Sequence, residues 1–487
     1  MSVVKDLNKN MKQLTVVWFR NDLRIHDHQP LVEAVNKSEY VLPIVCIDPR
    51  MNVITTHGTR KTGRYRMNFY LESVKNLKES LNKIGSDLLV CIGKPEEVIP
   101  DICSKYKADC VVGFKEVASE EIKIADKLEL NLWKNKIPLT LYLGNTLHNK
   151  EDLPFPIKDI PDVFTNFRKR VERDSIVREC FETPKKVRVP ENIEQTGVPS
   201  LMELGYEEVN IDERTALNYK GGETEALKRL EEYFWKKDLL KNYKQSRNGL
   251  IGADYSSKFS AALSFGCISP RRVYWEIKKY ESERVENDST YWLYFELLWR
   301  DYFRFMFKKY GNAMFREDGI RKVKRTDIAI NEDELFEKWK EGKTGIPFID
   351  ANMLELKHTG FMSNRGRQNV ASFLINDLHV TWTKGAAYFE EMLIDYNPAS
   401  NWGNWAYLAG VGNDPREERY FNVIKQAYDY DAKGEFVKLW LPSLENLPLK
   451  YVHQPYLMTE DEQLKYNFIL GKDYCPAQIR FKKFERV

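Results

Sequence analysis

Much that would assign a chain of 487 residues quickly is missing from this one. Its seven cysteines are odd in number, include no Cys-x-x-Cys pair, and several lie in apolar runs such as Leu88 to Ile92. They read as small buried hydrophobes in a reducing compartment, not as a disulfide framework. The seven histidines form neither a His-Glu-x-x-His motif nor a cluster with cysteine, so no metal site is expected. No apolar run approaches the roughly 18 residues of a membrane span. The start, Met1 to Asn10, lacks the apolar core of a signal peptide, so a cytoplasmic chain without a membrane segment is expected. A dominant charge is missing too: 75 Lys and Arg against 72 Asp and Glu leave +3. That balance excludes a polycationic binder and an acidic disordered chain, and confines any nucleic-acid site to a local patch.

What is abundant is aromatic: 13% of residues, with 11 Trp and 26 Tyr, which invites a search for stacking surfaces or a redox path. Residues 14–145 alternate short apolar runs with longer amphipathic ones. Val16 to Phe19, Val41 to Ile47, Leu88 to Ile92, Cys110 to Phe114 and Leu139 to Leu143 read as buried strands. Thr62 to Lys83, Pro95 to Tyr106 and Ser119 to Asn135 read as helices between them. The pattern predicts an α/β domain, a doubly wound parallel sheet of Rossmann-like type. Yet no Gly-x-Gly-x-x-Gly or P-loop follows any strand, so the main cofactor is expected elsewhere. Residues 146–219, rich in Pro, Asn and charge, read as a long connector over the surface, with one helical stretch from Asp162 to Cys180. Helical periodicity then dominates residues 220–487, an all-α domain.

Four segments carry candidate chemistry. Between Tyr291 and Tyr310, ten of twenty residues are aromatic, with Glu296, Trp299, Arg300 and Arg304 set among them. Such a helix is either core, with Glu296 paired to Arg300, or a pocket wall offering a carboxylate beside an indole, suited to a flat heterocycle. Thr359 to Asn369 presents Asn364 and Gln368 on one helical face, with Arg365 and Arg367 as forked donors; a solvated helix start explains it equally. Tyr243 to Arg247, followed by Asp254 to Ser260, offers hydroxyls ahead of a helical run and reads as an anion-binding start. Asp395 to Tyr407 mixes turn formers with aromatics, plausible around a cofactor.

Together these segments resemble the photolyase/cryptochrome family. Trp18-Phe-Arg-Asn-Asp-Leu-Arg-Ile-His-Asp27 is similar to its N-terminal signature, and Trp339 to Asp350 with Asn364-Arg365 to its flavin-domain signatures. Gly144 to His148 with Asp152 to Phe155, Asp254 to Phe259, Gly410 to Tyr420, and the positions of Gln368 and Tyr407 resemble its cryptochrome DASH branch. The resemblance runs from about Leu14 to Tyr456. It implies bent FAD in the helical domain, with Tyr243 and Ser256, Ser257, Lys258, Phe259 and Ser260 at the pyrophosphate. Asn364, Arg367 and Asp395 would lie next to the flavin ring, and Asn401 at its N5. Asn397 stands where the family usually has an aspartate, so altered redox tuning is implied. The lesion site would comprise Glu296, Trp299, Asn364, Gln368 and Tyr407, the two rings flanking a flipped pyrimidine dimer, with Arg247 and Arg365 on flanking phosphates. Trp405 and Trp382 would carry electrons to the flavin, while Ala329 fills the place of a third tryptophan. A folate antenna, 5,10-methenyltetrahydrofolate, is implied between the domains, with Glu116 or Glu120 on its pterin.

The activity implied is light-driven repair of cyclobutane pyrimidine dimers, mainly in single-stranded DNA, by a monomer. The alternatives are a blue-light receptor that binds FAD and DNA but signals instead of repairing, and a flavoprotein that only binds nucleic acid. The missing long C-terminal extension argues against the receptor.

Overall fold

The computed structural model describes residues 12–413 and 419–481. Strands β1 (Lys12–Phe19), β2 (Ser38–Ile47), β3 (Leu89–Ile92), β4 (Cys110–Phe114) and β5 (Leu139–Tyr142) form one parallel sheet in the order β3-β2-β1-β4-β5. The central runs, Val16 to Phe19 of β1, Val41 to Ile47 of β2 and Cys110 to Phe114 of β4, are buried throughout because both faces of the sheet are covered there. Val17, Phe19, Val45 and Val112 pack on the side of α1 (Gln29–Lys37) and α2 (Arg64–Lys83). Leu14, Val16, Ile44 and Val111 face the other way, onto α3 (Pro95–Tyr106) and α4 (Ser119–Lys134). All seven cysteines are free thiols, including Cys46 and Cys91, which are paired in register across β2 and β3.

Residues 146–219 do not simply run over the surface, contrary to expectation. Leu147, Phe155, Ile160, Phe164, Phe167, Val171, Val187 and Leu201 are buried in one core that also contains Val17 of the sheet and Leu298 of the helical part. The segment is a strap whose irregular backbone hides its apolar positions from periodicity. Its helix is α5 (Phe164–Asp174), shorter than the stretch expected.

The helical part begins with α6 (Glu223–Glu231), α7 (Tyr243–Ser246), α8 (Ser260–Ser264) and α9 (Pro270–Glu283). It continues through α10 (Asp288–Tyr310), α11 (Glu332–Lys340), α12 (Pro347–Thr359), α13 (Asn364–Ser372), α14 (Trp382–Met392) and α15 (Pro398–Leu408) to shorter helices ending at Lys465. Among the described residues no helix is long and apolar enough to cross a membrane.

The N-terminal signature clasps the two parts together. The buried Arg24 donates to Asn145 Oδ1 at 3.0 Å and to the Gly266 carbonyl at 2.9 Å. Asp27 accepts from Arg271 Nη2 at 2.5 Å and Nε at 3.0 Å. Glu223 accepts the backbone N–H groups of Ile25 and His26 at 2.9 and 3.1 Å. Leaving one of these buried partners alone would cost about 3–5 kcal/mol, so the motif orients the two parts.

The crevice where the strand order reverses, between β1 and β4, is where open α/β sheets bind ligands. Here Glu116, just after β4, meets Arg304 of α10 at 2.9 Å, both side chains being buried. The helical part thus fills the position that a nucleotide loop would need.

Candidate functional site

Two adjoining cavities, of about 250 and about 420 Å³, form one cleft in the helical part. Their shared wall consists of Arg247, Ser260, Leu263, Glu296, Arg300, Asn364, Arg367 and Asp395. The first lobe adds Tyr243, Tyr255, Ser256, Ser257, Lys258 and Phe259; the second adds Trp299, Gln368, Asn397, Asn404 and Tyr407. Five sequence-distant segments therefore converge, and α10 runs between them as the wall of both lobes.

In the first lobe the helix following the serines, α8, has only five residues. So short a helix adds little macrodipole, and the helix-start reading of this anion site is corrected accordingly. The loop itself carries the polarity. Arg229, buried on α6, braces it by donating to the carbonyls of Ala253 at 2.8 Å, Ser256 at 3.3 Å and Ser257 at 3.2 Å. Lys258 sits in the left-handed region at φ 61°, and its buried Nζ has no hydrogen-bond partner. The ammonium lies 3.2 Å from the Tyr255 ring centroid, and burial holds its pKa well below the usual lysine value. An anion there would restore its charge. Arg367 Nη2 donates to Asp395 Oδ2 at 2.9 Å, while the buried Asp395 Oδ1 has no partner.

In the second lobe Glu296 pairs with Arg247, not with Arg300 as spacing suggested. Arg300 is drawn instead to the carbonyls of Asn145 and, at 3.0 Å, Leu263. Burial raises the Glu296 pKa, opposed by the Arg247 charge. Arg247 is thus already engaged by a carboxylate, so holding a flanking phosphate would mean sharing it with Glu296. Arg365 donates to Gln368 Oε1 at 3.0 Å and Asn248 Oδ1 at 3.2 Å, and its guanidinium lies 4.4 Å from the Tyr430 ring. It is not among the residues lining either lobe.

Trp299 and Tyr407 do not flank an open slot. Their rings meet edge to face at 5.9 Å and 84°, where a sandwiched base needs parallel rings roughly 7 Å apart. Trp299 is also stacked on Phe164 of the strap at 3.7 Å. The bases would therefore meet the exposed edge of this aromatic pair, or the pair must open.

Asn397 caps α15, its Oδ1 accepting from Ser400 N at 3.3 Å, and it lines the second lobe. Asn401 lies one turn on, with Nδ2 donating to the Ala386 carbonyl at 2.9 Å, and is not among the lining residues of either lobe. Trp405 and Trp382 stand behind the cleft, not on its wall. Of the antenna candidates, Glu116 is consumed by the buried pair with Arg304, and Glu120 is an exposed partner of Lys61. Neither is left as an unpaired acceptor for a pterin. Sequence reasoning missed Arg229, Tyr255 and Asn404; a lone arginine in a charged amphipathic helix carries no signal of a brace.

Residues 15–190 match the family described as DNA photolyase, and residues 292–486 the FAD binding domain of DNA photolyase. The chain belongs to the photolyase/cryptochrome family. Within it the likeness is to the DASH branch: it is 51% identical over 460 residues to "Cryptochrome DASH" of Gloeobacter violaceus, covering 94% of this chain and 91% of that protein. The crystal structure of a Synechocystis cryptochrome superposes with a TM-score of 0.93 at 48% identity, covering 96% of this chain and 97% of that one. A class III photolyase of Agrobacterium tumefaciens gives a TM-score of 0.83 at 27% identity, covering 96% and 95%. The first lobe fits FAD: the unpartnered Lys258 ammonium suits a pyrophosphate, and the unpartnered Asp395 oxygen suits an N–H donor.

Proposed function

We propose that this protein repairs cyclobutane pyrimidine dimers in DNA, mainly single-stranded, by a light-driven, FAD-dependent lyase reaction. The carrying observation is that the lobe fitted for FAD and the lobe lined by Glu296, Trp299, Gln368 and Tyr407 share one wall. When bound, reduced FAD supplies the light-driven electron that opens the cyclobutane ring and is then regained. The protein's own part is binding and orientation. Tyr243, the Ser256 to Ser260 loop, Lys258, Arg367 and Asp395 hold the cofactor. Glu296, kept toward its protonated form, can donate to a pyrimidine carbonyl and accept from an imide N–H. Gln368, whose Oε1 is held by Arg365, keeps its amide N–H groups for the lesion edge. A dimer stacks poorly, so its extrusion into the cleft costs less than that of normal bases. We place the protein in the cytoplasm as a monomer, with α/β, strap and helical units at about 14–145, 146–219 and 220–487. A 5,10-methenyltetrahydrofolate antenna between the domains stays part of this reading; Glu116 is held in the buried pair with Arg304, which leaves the exposed Glu120, paired with Lys61 at the surface, as its pterin contact.

The test is illumination of FAD-loaded, reduced protein with a dimer-containing oligonucleotide, single-stranded and duplex in parallel. Restored pyrimidines, faster on the single strand, are expected. FAD bound with no light-dependent repair on either substrate would leave the receptor reading instead.

A further inference from the structure

A cavity of about 490 Å³ lies apart from the cleft and shares no lining residue with either of its lobes. Three units meet in it. The α/β part brings Arg60, Gly63, Arg64 and Tyr65, and the strap brings Gly205, Tyr206 and Glu207. The helical part brings Lys357 of α12 and Tyr388, Glu391 and Met392 of α14. Neither Glu116 nor Glu120 is on its wall.

The N-terminus of α2 opens into this cavity with its positive end uncompensated. A helix of 20 residues normally has that end offset by a capping oxygen or an acid in the first turn. Here the cap is Gly63, no side chain takes up the first N–H groups, and the turn reads Arg64-Tyr65-Arg66 without an acid. Packing keeps it so. The Gly63 N–H donates to the Glu391 carbonyl at 2.9 Å, and a Cβ on Gly63 would come within 2.5 Å of that oxygen, so no capping side chain fits.

A second group on the wall seeks the same kind of partner. Tyr206 is only 6% exposed, yet its hydroxyl has no hydrogen-bond partner. Arg60 lies over its ring, 5.1 Å from the centroid, and burial raises the Tyr206 pKa, so the hydroxyl stays a donor. The other cations are held by weak surface pairs: Arg64 with Glu207, which is 84% exposed, and Lys357 with the exposed Glu341. Glu391 opposes an anion, but burial raises its pKa and its Oε2 already accepts the Arg60 N–H at 3.1 Å.

We propose that this cavity binds a phosphate dianion, free or as the monoester of a small molecule. The N–H groups at the start of α2 and the Tyr206 hydroxyl donate to its oxygens, while Arg60, Arg64 and Lys357 supply the charge. Donors from three separate units suit a tetrahedral ion better than a planar carboxylate, which offers only two oxygens. The volume lies within the range of small-molecule sites and leaves room for the organic part of an ester. An ion so placed ties the α/β part, the strap and the helical part together.

The experiment is calorimetric titration of the FAD-loaded protein with inorganic phosphate, ribose 5-phosphate and, as an anion without phosphorus, acetate. One phosphate per chain is expected, with a dissociation constant below about 1 mM and at least tenfold tighter than acetate. Tyr206→Phe removes only an unpartnered hydroxyl, so it should fold as the parent does and bind phosphate at least tenfold more weakly, the scale of one hydrogen bond to a charged group. Lys357→Glu, on the surface, should weaken binding by at least as much. Arg247→Ala, in the cleft, should leave it unchanged. Phosphate should also raise the unfolding midpoint of the parent, and at the same concentration raise that of Tyr206→Phe much less. Repair should be the same in parent, Tyr206→Phe and Lys357→Glu. Tighter binding of ribose 5-phosphate than of inorganic phosphate assigns the ester, and equal or weaker binding assigns the free ion. No saturable phosphate binding, equal affinity in the parent and both cavity variants, loss in Arg247→Ala alone, or acetate bound as tightly as phosphate overturns the site.

Discussion

Glu296 shows how far residue spacing reaches. Its place on a pocket wall was one of two readings open in the sequence, but its partner was misread, because Arg300 is claimed by the carbonyls of Asn145 and Leu263 from outside the helix. Such tertiary acceptors leave no trace in local spacing. Glu296→Ala should lower repair roughly 5- to 150-fold, the equivalent of 1–3 kcal/mol for one lost buried polar contact, with FAD retained. Quantitation of repaired dimers beside the flavin absorbance checks this, and loss of flavin with intact repair would reverse the assignment. Arg247→Ala removes the charge that opposes the raised Glu296 pKa, so the carboxyl should titrate higher still. The alkaline limb of the repair-pH profile should then move upward. Lys258 was legible only as part of a hydroxyl loop. Its burial and lack of a partner depend on Tyr255, Phe361 and the brace from Arg229.

Elements were legible where burial is two-sided or periodic. β4 and α3 fall on the expected residues because their apolar patterns end where their burial ends. The strap failed because an irregular backbone presents Phe155, Phe164 and Leu201 to the core without any repeat. Close helix packing was equally invisible. A Cβ on Gly385 of α14 would come within 2.3 Å of the Trp405 ring, so the glycine lets α14 and α15 approach. Gly385→Ala should therefore destabilise by roughly 1–3 kcal/mol, the range for overpacking, read as a lower denaturant midpoint. A second element-level prediction concerns the wide turn Phe373–Asp377 that continues α13. Burial raises the Asp377 pKa to about 7, and Oδ2 has no partner. The folded state then holds a proton that the unfolded chain has released, so stability falls as pH rises from about 4, the unfolded carboxyl value, to about 7. The slope is at most about 1.4 kcal/mol per pH unit, and less where water reaches the group. Asp377→Asn should remove this decline, measured as unfolding midpoints across that window.

At the scale of the whole molecule the question is how an electron reaches the cleft from the surface. The family resemblance implies three tryptophans, of which Trp405 and Trp382 are present. Trp382 is buried, with its indole N–H donating to the Glu317 carbonyl at 3.1 Å. Ala329 donates its backbone N–H to the His379 carbonyl at 3.0 Å, so its segment runs beside the start of α14. On the family resemblance the third place falls at Ala329, whose methyl group has no accessible redox state. A second aromatic line leaves Trp405 in another direction. Its ring lies 6.3 Å from Trp339, which lies 5.8 Å from Tyr388, and Tyr388 lines a surface cavity of about 490 Å³ with Arg60, Arg64 and Lys357. Burial raises the Tyr388 pKa above that of an ordinary tyrosine, so its oxidation must release a proton into a poorly solvated site. That makes it a slow terminus. Light-driven reduction of the bound flavin should consequently be inefficient in the parent and abolished by Trp405→Phe, which cuts both lines. Ala329→Trp should speed it by completing the first line. Trp339→Phe should slow the parent but leave the Ala329→Trp protein nearly unaffected, because that protein no longer needs the second line. Repair by chemically reduced Ala329→Trp protein should match the parent, since that electron does not travel along either line. Time-resolved absorbance of the flavin under blue light reads each case. Rapid photoreduction in the parent that survives Trp382→Phe and Trp339→Phe together would place the electron's route outside both lines.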